Sequence, residues 1–301
     1  VKNTIDKKTQ NTLKLIHGDI YKSINEHYVD VFLCGGASSL NHTSTRDRVR
    51  DYLAKIQGVR ILYPEDLFIE MLNKNKEYDL LSLEGFLAEN CDLICIVCES
   101  AGSLVELGAF TNNEKTVNKV VAVIDEKRKK DQSFIMLGPI KIIKKKNKSH
   151  VVFYNRDKID LLSRELIKLI RLNKNKELHS NPKKSSNKPL NTIIGLYYFI
   201  PLVLYFYKYL HIEKITDFIK FLFIELGYKQ DEFDTLFKSA LKLLYKEKYI
   251  SKHIRNGESM YSLTDKGYKK FNDILNNLAI ENKKNLYNGI RFGIMMDEYY
   301  K

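Results

Sequence analysis

The sequence predicts an α/β chain, a parallel sheet covered by helices and then a mainly α second domain, from three observations. Through the first 125 residues, apolar runs of strand length alternate with longer amphipathic runs. Those short runs are almost uninterrupted, as strands buried on both faces must be. After a polar, proline-bearing stretch the pattern turns helical, broken by one hairpin signal at Asn256-Gly257.

The elements follow in order. VDVFLC (29–34) is a buried-strand pattern leading into GGASS, and RDRVRDYLAKI (46–56) reads as a helix. VRILYP (59–64) is a second strand stopped by Pro64, LLSLEGFLAEN (80–90) is helical, and CDLICIVCE (91–99) is a third strand. LVELGAFTNN (104–113) is a helix, KVVAVID (119–125) and VVFYN (151–155) are strands, and LLSRELIKLIRL (161–172) is a closing helix. These place a first domain at 1–172, a basic linker at 173–191 with Pro182, Pro189 and a serine pair, and a second domain at 192–301.

Charge is distributed unevenly. Residues 1–125 hold 14 Lys/Arg against 18 Asp/Glu, residues 126–190 hold 19 against 6, and residues 191–301 hold 17 against 13. The net +13 therefore arises in the middle segment, which carries EKRKK (126–130) and KIIKKKNK (141–148). Such runs are solvated loops or a phosphate-backbone surface, with Lys144, Lys145 and Lys146 as candidate contacts. Residues 189–207 run 19 residues without a charge, but four tyrosines and Pro201 fit a buried helix better than a membrane span. The four cysteines are few, and the first stretch is too polar for a signal peptide, so a reducing cytoplasm is expected. Cys91, Cys95 and Cys98 lie along one strand, with Cys95 and Cys98 on opposite faces, so they read as small core residues and not as metal ligands.

In an open parallel sheet, ligands bind beyond the carboxyl ends of the strands. Gly35 and Gly36 follow the first strand and allow close backbone approach. Glu65 and Asp66 follow the second, where Asp66 can equally cap a helix. After the third comes ESAGSLVELGAF (99–110), a small-residue turn and a helix start near Ser103 with Glu106 in its first turn. Backbone amides at such a turn suit an anion or sugar hydroxyl. By spacing alone, Ser103-x-x-Glu106 is also a capping box, and both readings stand.

The order of these pieces resembles the nucleoside 2-deoxyribosyltransferase-like family across residues 29–125, most specifically at Glu-Leu-Gly-Ala (106–109). The resemblance implies a Rossmann-like fold in which Glu106 acts at an anomeric carbon. It implies that Gly35, Gly36 and Asp66 bind substrate, Asp66 holding base or sugar, together with Asp92, which opens the catalytic strand, and Ser103, which stands where the family has threonine. The usual Asp-Ser-Gly-Thr turn is here Ser-Ala-Gly-Ser (100–103), a departure that leaves both acceptor and substrate open. A lone carboxylate suits N-glycosidic cleavage, because it stabilises or traps the oxocarbenium-like sugar. With NAD as substrate the leaving group is already cationic, and no further cofactor is called for.

In the second domain, residues 192–209, ITDFIKFLFIEL (215–226) and DEFDTLFKSALKLLYKEKYI (231–250) are the first, second and third helices, and YISKHIRNGESMYSL (249–263) is a hairpin. This order resembles a winged helix-turn-helix, most typically at YSLTDKG (261–267). Lys238, Lys242 and Lys246 form a basic stripe, and Lys252 and Arg255 charge the wing. Asp231, Glu232 and Asp234 open the third helix where base edges are usually read, which favours backbone or shape contact. The whole chain resembles the effector of a bacterial retron antiviral system. That resemblance implies partnership with a reverse transcriptase and its branched RNA–DNA product, restraint of a toxic activity by that nucleic acid, and a higher-order assembly. The competing class is a transcriptional regulator whose first domain senses a nucleotide without catalysis.

Overall fold

The structure, a computed structural model, describes residues 5–63, 84–85, 87–88, 90–180, 188–255 and 257–299. The chain divides into two compact units, residues 28–186 and residues 1–27 together with 187–301.

The first unit is a five-stranded parallel sheet: β1 (Val29–Cys34), β2 (Val59–Leu62), β3 (Leu93–Val97), β4 (Val120–Asp125) and β5 (Val151–Tyr154), in the order β2-β1-β3-β4-β5. Every described pair is parallel, with Val31 opposite Leu93 and Ile94 opposite Val120. β1 and β3 are buried at every position, because helices cover both faces of the sheet centre. One face packs Val31, Leu33, Cys95 and Val123 against Val49 and Leu53 of the helix Thr45–Leu53 and Leu162, Leu166 and Leu169 of the helix Ile159–Ser180. All four cysteines are buried, as expected of small core residues.

At the amino ends of the strands, Asp30 and Arg60 are register partners on β1 and β2 and form a buried bidentate ion pair, with Arg60 Nη2 donating to Asp30 Oδ2 at 2.9 Å. The Arg60 guanidinium also lies 5.4 Å from the Tyr28 ring centroid. Asp92 sits at this same end, just before β3, and its Oδ2 accepts the Asp30 backbone N–H at 2.6 Å.

The second unit follows the order helix Ile193–Tyr207, β6 (Leu210–His211), helix Ile212–Glu225, helix Phe233–Lys246, β7 (Ile250–Arg255), β8 (Glu258–Leu263) and helix Asp265–Asn276, then a last helix Lys283–Tyr299. That is a winged helix-turn-helix with β8 central in a three-stranded sheet. Arg255 pairs with Glu258 where β7 and β8 meet, and Gly257 takes a left-handed φ of 79° that glycine adopts freely. The YSLTDKG stretch now has a physical account. Thr264 caps the last wing helix by accepting the Gly267 N–H at 3.0 Å while donating to Lys248 O, and a Cβ on Gly267 would lie 2.1 Å from Tyr249 O. The uncharged stretch 189–207 holds the 15-residue helix Ile193–Tyr207, buried along nearly its whole length. Among the described residues, no helix is long and apolar enough to cross a membrane.

Two boundaries differ from the expectation. The stretch 173–180, read as linker, continues the helix Ile159–Ser180, since it contains neither proline nor glycine and the first stop is Pro182. Residues 1–27, read as part of the first domain, belong to the second unit. Their helical stretch, with a π-helical segment at Ile16–Tyr21, buries Leu13, Ile16, Ile20 and Ile24. It stacks His17 on Tyr21 and sets both rings edge-on to Phe199, while Tyr21 Oη donates to Lys188 O at 2.7 Å. Burial, then the Lys22 charge, lowers the His17 pKa to about 4, as befits a ring in an aromatic core.

Candidate functional site

The strand order reverses between β1 and β3, so the crevice beyond their carboxyl ends is where an open parallel sheet takes its ligand. Gly35 and Gly36 leave β1 at that point. A Cβ on Gly35 would lie 2.8 Å from Arg46 Cβ, and one on Gly36 would lie 3.2 Å from Glu99 Cγ. Glycine is therefore required at position 35 by the close approach of the helix Thr45–Leu53, while Gly36 lies tight against the Glu99 side chain from the loop after β3.

That helix presents amides that would ordinarily attract an anion. They are already bonded: Ser44 Oγ accepts the Asp47 N–H at 3.1 Å, and the Glu99 carboxylate accepts the N–H of Thr45 at 2.9 Å and of Arg46 at 3.0 Å. Asp47 accepts from Tyr63 Oη at 2.7 Å and from Ser38 Oγ. Burial pushes the Asp47 pKa up, but these hydrogen bonds with Arg46 and Arg50 outweigh it and hold the carboxyl below its ordinary value. Both guanidiniums lie over the Tyr63 ring, at 4.6 and 5.0 Å.

The helix carrying Glu106 begins at Ala101, earlier than the spacing suggested. Ser100 is its N-cap, and the capping box joins Ser100 to Ser103: the Ser103 N–H donates to Ser100 Oγ at 3.2 Å and the Ser100 N–H to Ser103 Oγ at 3.0 Å. The expected Ser103–Glu106 box is thus replaced by one a turn earlier, which leaves Glu106 beyond the capping positions. Glu106 is half-buried with its Oε2 buried. Its charge reaches Cys34 at the end of β1 and Cys98 just past β3. Burial first, then Glu106 and Glu84, pushes the Cys34 thiol far up, and Cys98 is pushed up to about 12, mainly by burial.

The fold therefore brings Gly35, Gly36 and Glu106 to the carboxyl ends of β1 and β3. Ser103 is 1% exposed and its hydroxyl donates to Ser100 O at 2.8 Å, so it builds the turn and does not line the crevice as expected of a substrate contact. Asp92 lies at the opposite end of β3, tied to β1, because a residue that opens a strand cannot also sit beyond its carboxyl end. Asp66 lies outside the described residues. Sequence reasoning passed over Glu99, Arg46 and Asp47, and it missed Glu84, which is 5% exposed. A signal for Glu84 existed, since Leu87 and Ala88 follow at helical spacing and put it on an apolar face.

The candidate nucleic-acid contacts are exposed in the main. Lys144, Lys145 and Lys146 form the last turn of the helix Pro139–Lys146, where they also complement its dipole. Lys129 and Lys144, from the two separate lysine runs, both lie over the Phe153 ring of the edge strand β5, at 5.5 and 5.3 Å. The fold thus joins the runs into one basic edge. Lys238 and Lys246 are exposed and Lys242 is half-buried on the helix Phe233–Lys246, which opens with Asp234 in its first turn. Lys252 is exposed on β7, and Arg255 ends that strand.

Comparison with known proteins adds an independent line. A family described as STM3845 retron effector protein matches residues 42–252. The Escherichia coli protein named "Retron Ec86 putative ribosyltransferase/DNA-binding protein" is 44% identical over 124 residues, 41% of this chain and 40% of that protein. The Escherichia coli protein named "Retron Ec73 putative ribosyltransferase/DNA-binding protein" is 32% identical over 117 residues, 38% of this chain and 37% of that protein. The match thus spans less than half the length of these two relatives.

Proposed function

Because the chain belongs to the STM3845 retron effector family, we propose that its sheet unit cleaves the N-glycosidic bond of a nucleotide, NAD in the first instance, with Glu106 as the catalytic carboxylate. The observation that carries this reading is the capping box between Ser100 and Ser103. It relieves Glu106 of any capping duty while the side chain's charge acts at the ends of β1 and β3, the switch point of the sheet. The ribosyltransferase element in the names of two relatives supports the same class of reaction.

The chemistry asks little of the protein. The bond from the ribosyl anomeric carbon to the nicotinamide nitrogen breaks, and its electron pair neutralises the departing ring. Positive charge grows on the sugar, where the Glu106 carboxylate stabilises it or bonds to it. Water then adds to the anomeric carbon, breaking any bond from that carbon to Glu106 with its electron pair returning to the carboxylate, and the water's proton passes to solvent, so that ADP-ribose, nicotinamide and a proton result. Glu99 keeps the amides of the helix Thr45–Leu53 occupied, so substrate is held at this point through sugar and base.

In this reading the retron reverse transcriptase and its branched RNA–DNA product hold the effector in check within a larger assembly. The basic edge at β5 and the 19 basic residues in 126–190 supply the phosphate contacts. The acidic first turn of the helix Phe233–Lys246 argues against an operator-reading regulator.

The test is nicotinamide release by the chain assembled with its reverse transcriptase and product, once restraint is lifted by nuclease. Glu106→Gln should abolish release and leave the melting temperature unchanged. Equal release by wild type and variant would sink the assignment.

A further inference from the structure

A pocket of about 700 Å³ opens within the unit formed by residues 1–27 and 187–301, on the end of the helix Ile193–Tyr207. Its walls carry Tyr205, Lys208, Tyr209, Asp265, Tyr268 and Arg291. Tyr205 and Tyr268 stack at 5.1 Å with only 14° between their planes. Tyr205 is buried, whereas Tyr268 is 51% exposed. The Arg291 guanidinium lies 5.9 Å from the Tyr205 ring centroid and 6.0 Å from that of Phe206. Tyr209, also 51% exposed, stands at the rim.

The rim is held in a costly shape. Lys208 has φ 65° and ψ −62°, and the Tyr209 N–H donates to Tyr207 O at 2.8 Å. This is a γ-turn of the rare, strained hand, and a non-glycine residue held so costs about 1–3 kcal/mol. Glycine would relieve that strain, yet the position holds a cation between two tyrosines.

We propose that this pocket holds an unpaired nucleotide of a single-stranded nucleic acid. An exposed ring backed by a second stacked ring offers a platform for one more planar π face, which an unpaired base has and a base within a duplex has already covered. Lys208 and Arg291 give the adjoining phosphate its countercharge. Asp265, in the first turn of the helix Asp265–Asn276, repels phosphate from its own side and accepts from an exocyclic amino group, so adenine, cytosine and guanine are preferred over thymine or uracil. The site lies apart from the helix Phe233–Lys246, so the winged helix would engage a strand end or loop without using that helix to read a groove. This rests on the nucleic-acid partnership proposed above and gives it a second point of contact, distinct from the lysine edge.

The test uses the full chain with short fluorescent probes: one single-stranded DNA, the RNA of the same sequence, and the DNA hairpin duplex. Tyr268→Ala and Tyr209→Ala should each weaken single-strand binding about tenfold, leave duplex binding unchanged, and differ in their effect on DNA and RNA according to which strand is the natural occupant. Tyr268→Trp should keep the affinity. Lys208→Gly should raise the melting temperature while weakening single-strand binding. Reversing Lys144, Lys145 and Lys146 to glutamate should weaken single-strand and duplex probes alike. If the tyrosine variants melt as wild type does and bind single strands equally well, or lose duplex binding to the same extent, the pocket is not the site. Should the lysine reversal alone abolish binding, nucleic-acid partnership survives and the pocket assignment falls. If the wild-type chain binds none of the probes, both fall together.

Discussion

The two ends of the parallel sheet carry similar residues and use them differently. At the amino end, Asp30 is bonded bidentately to Arg60 and Asp92 is bonded to the Asp30 backbone, so both carboxylates are committed to holding β1, β2 and β3 in register. At the carboxyl end, Glu99 is likewise committed, to the first amides of the helix Thr45–Leu53, while Ser100 and Ser103 cap the next helix without help from Glu106. A carboxylate next to a strand end is therefore not a functional signal until its partners are known.

Four substitutions test this difference between the two ends. Glu106→Gln carries the largest expected effect, a loss on the order of a thousandfold in nicotinamide release, with the thermal melt unmoved. Arg60→Met comes next. It leaves Asp30 buried without its guanidinium partner and should lower unfolding stability by about 3–5 kcal/mol, read from urea titration, with release per folded molecule intact. Glu99→Gln should cost about 1–2 kcal/mol through the weakened helix cap and should loosen hydrogen exchange over residues 45–48. The smallest effect is expected of Asp92→Asn, below about 1 kcal/mol and without change in turnover. A large loss of turnover at normal stability would return Asp92 to the substrate-binding role that its sequence context suggested.

Much of the fold was legible because buried parallel strands are short and continuously apolar. All five strands fall within the predicted runs, and the winged helix was visible from its hairpin turn and the Thr264–Gly267 stretch. Glycines 35 and 36 and Glu106 were legible as residues just past strand ends. What failed was partnership. Ser100-Ala-Gly-Ser103 contains two possible caps, and the familiar serine-to-glutamate spacing drew attention to the wrong one. Asp92 was judged by its motif, although the first residue of a strand lies at the far end from the crevice. The apolar stripe of Leu13, Ile16, Ile20 and Ile24 was present in the sequence, but an amphipathic pattern tells only that a face is buried, not against which segment.

That N-terminal stripe also bears on how the chain is made. The sheet unit, residues 28–186, is an insertion in the sequence of the other unit, which is formed by residues 1–27 and 187–301. During synthesis the sheet unit can complete its packing as soon as it leaves the ribosome. The first 27 residues, however, must wait for Phe199 and Lys188 and their neighbours before they have anything to fold against, a closure spanning most of the chain. The unit proposed to cleave the glycosidic bond can therefore mature before the unit proposed here to hold nucleic acid, and a partner that recognises the closed N-terminal helix recognises a chain synthesised at least through Phe199.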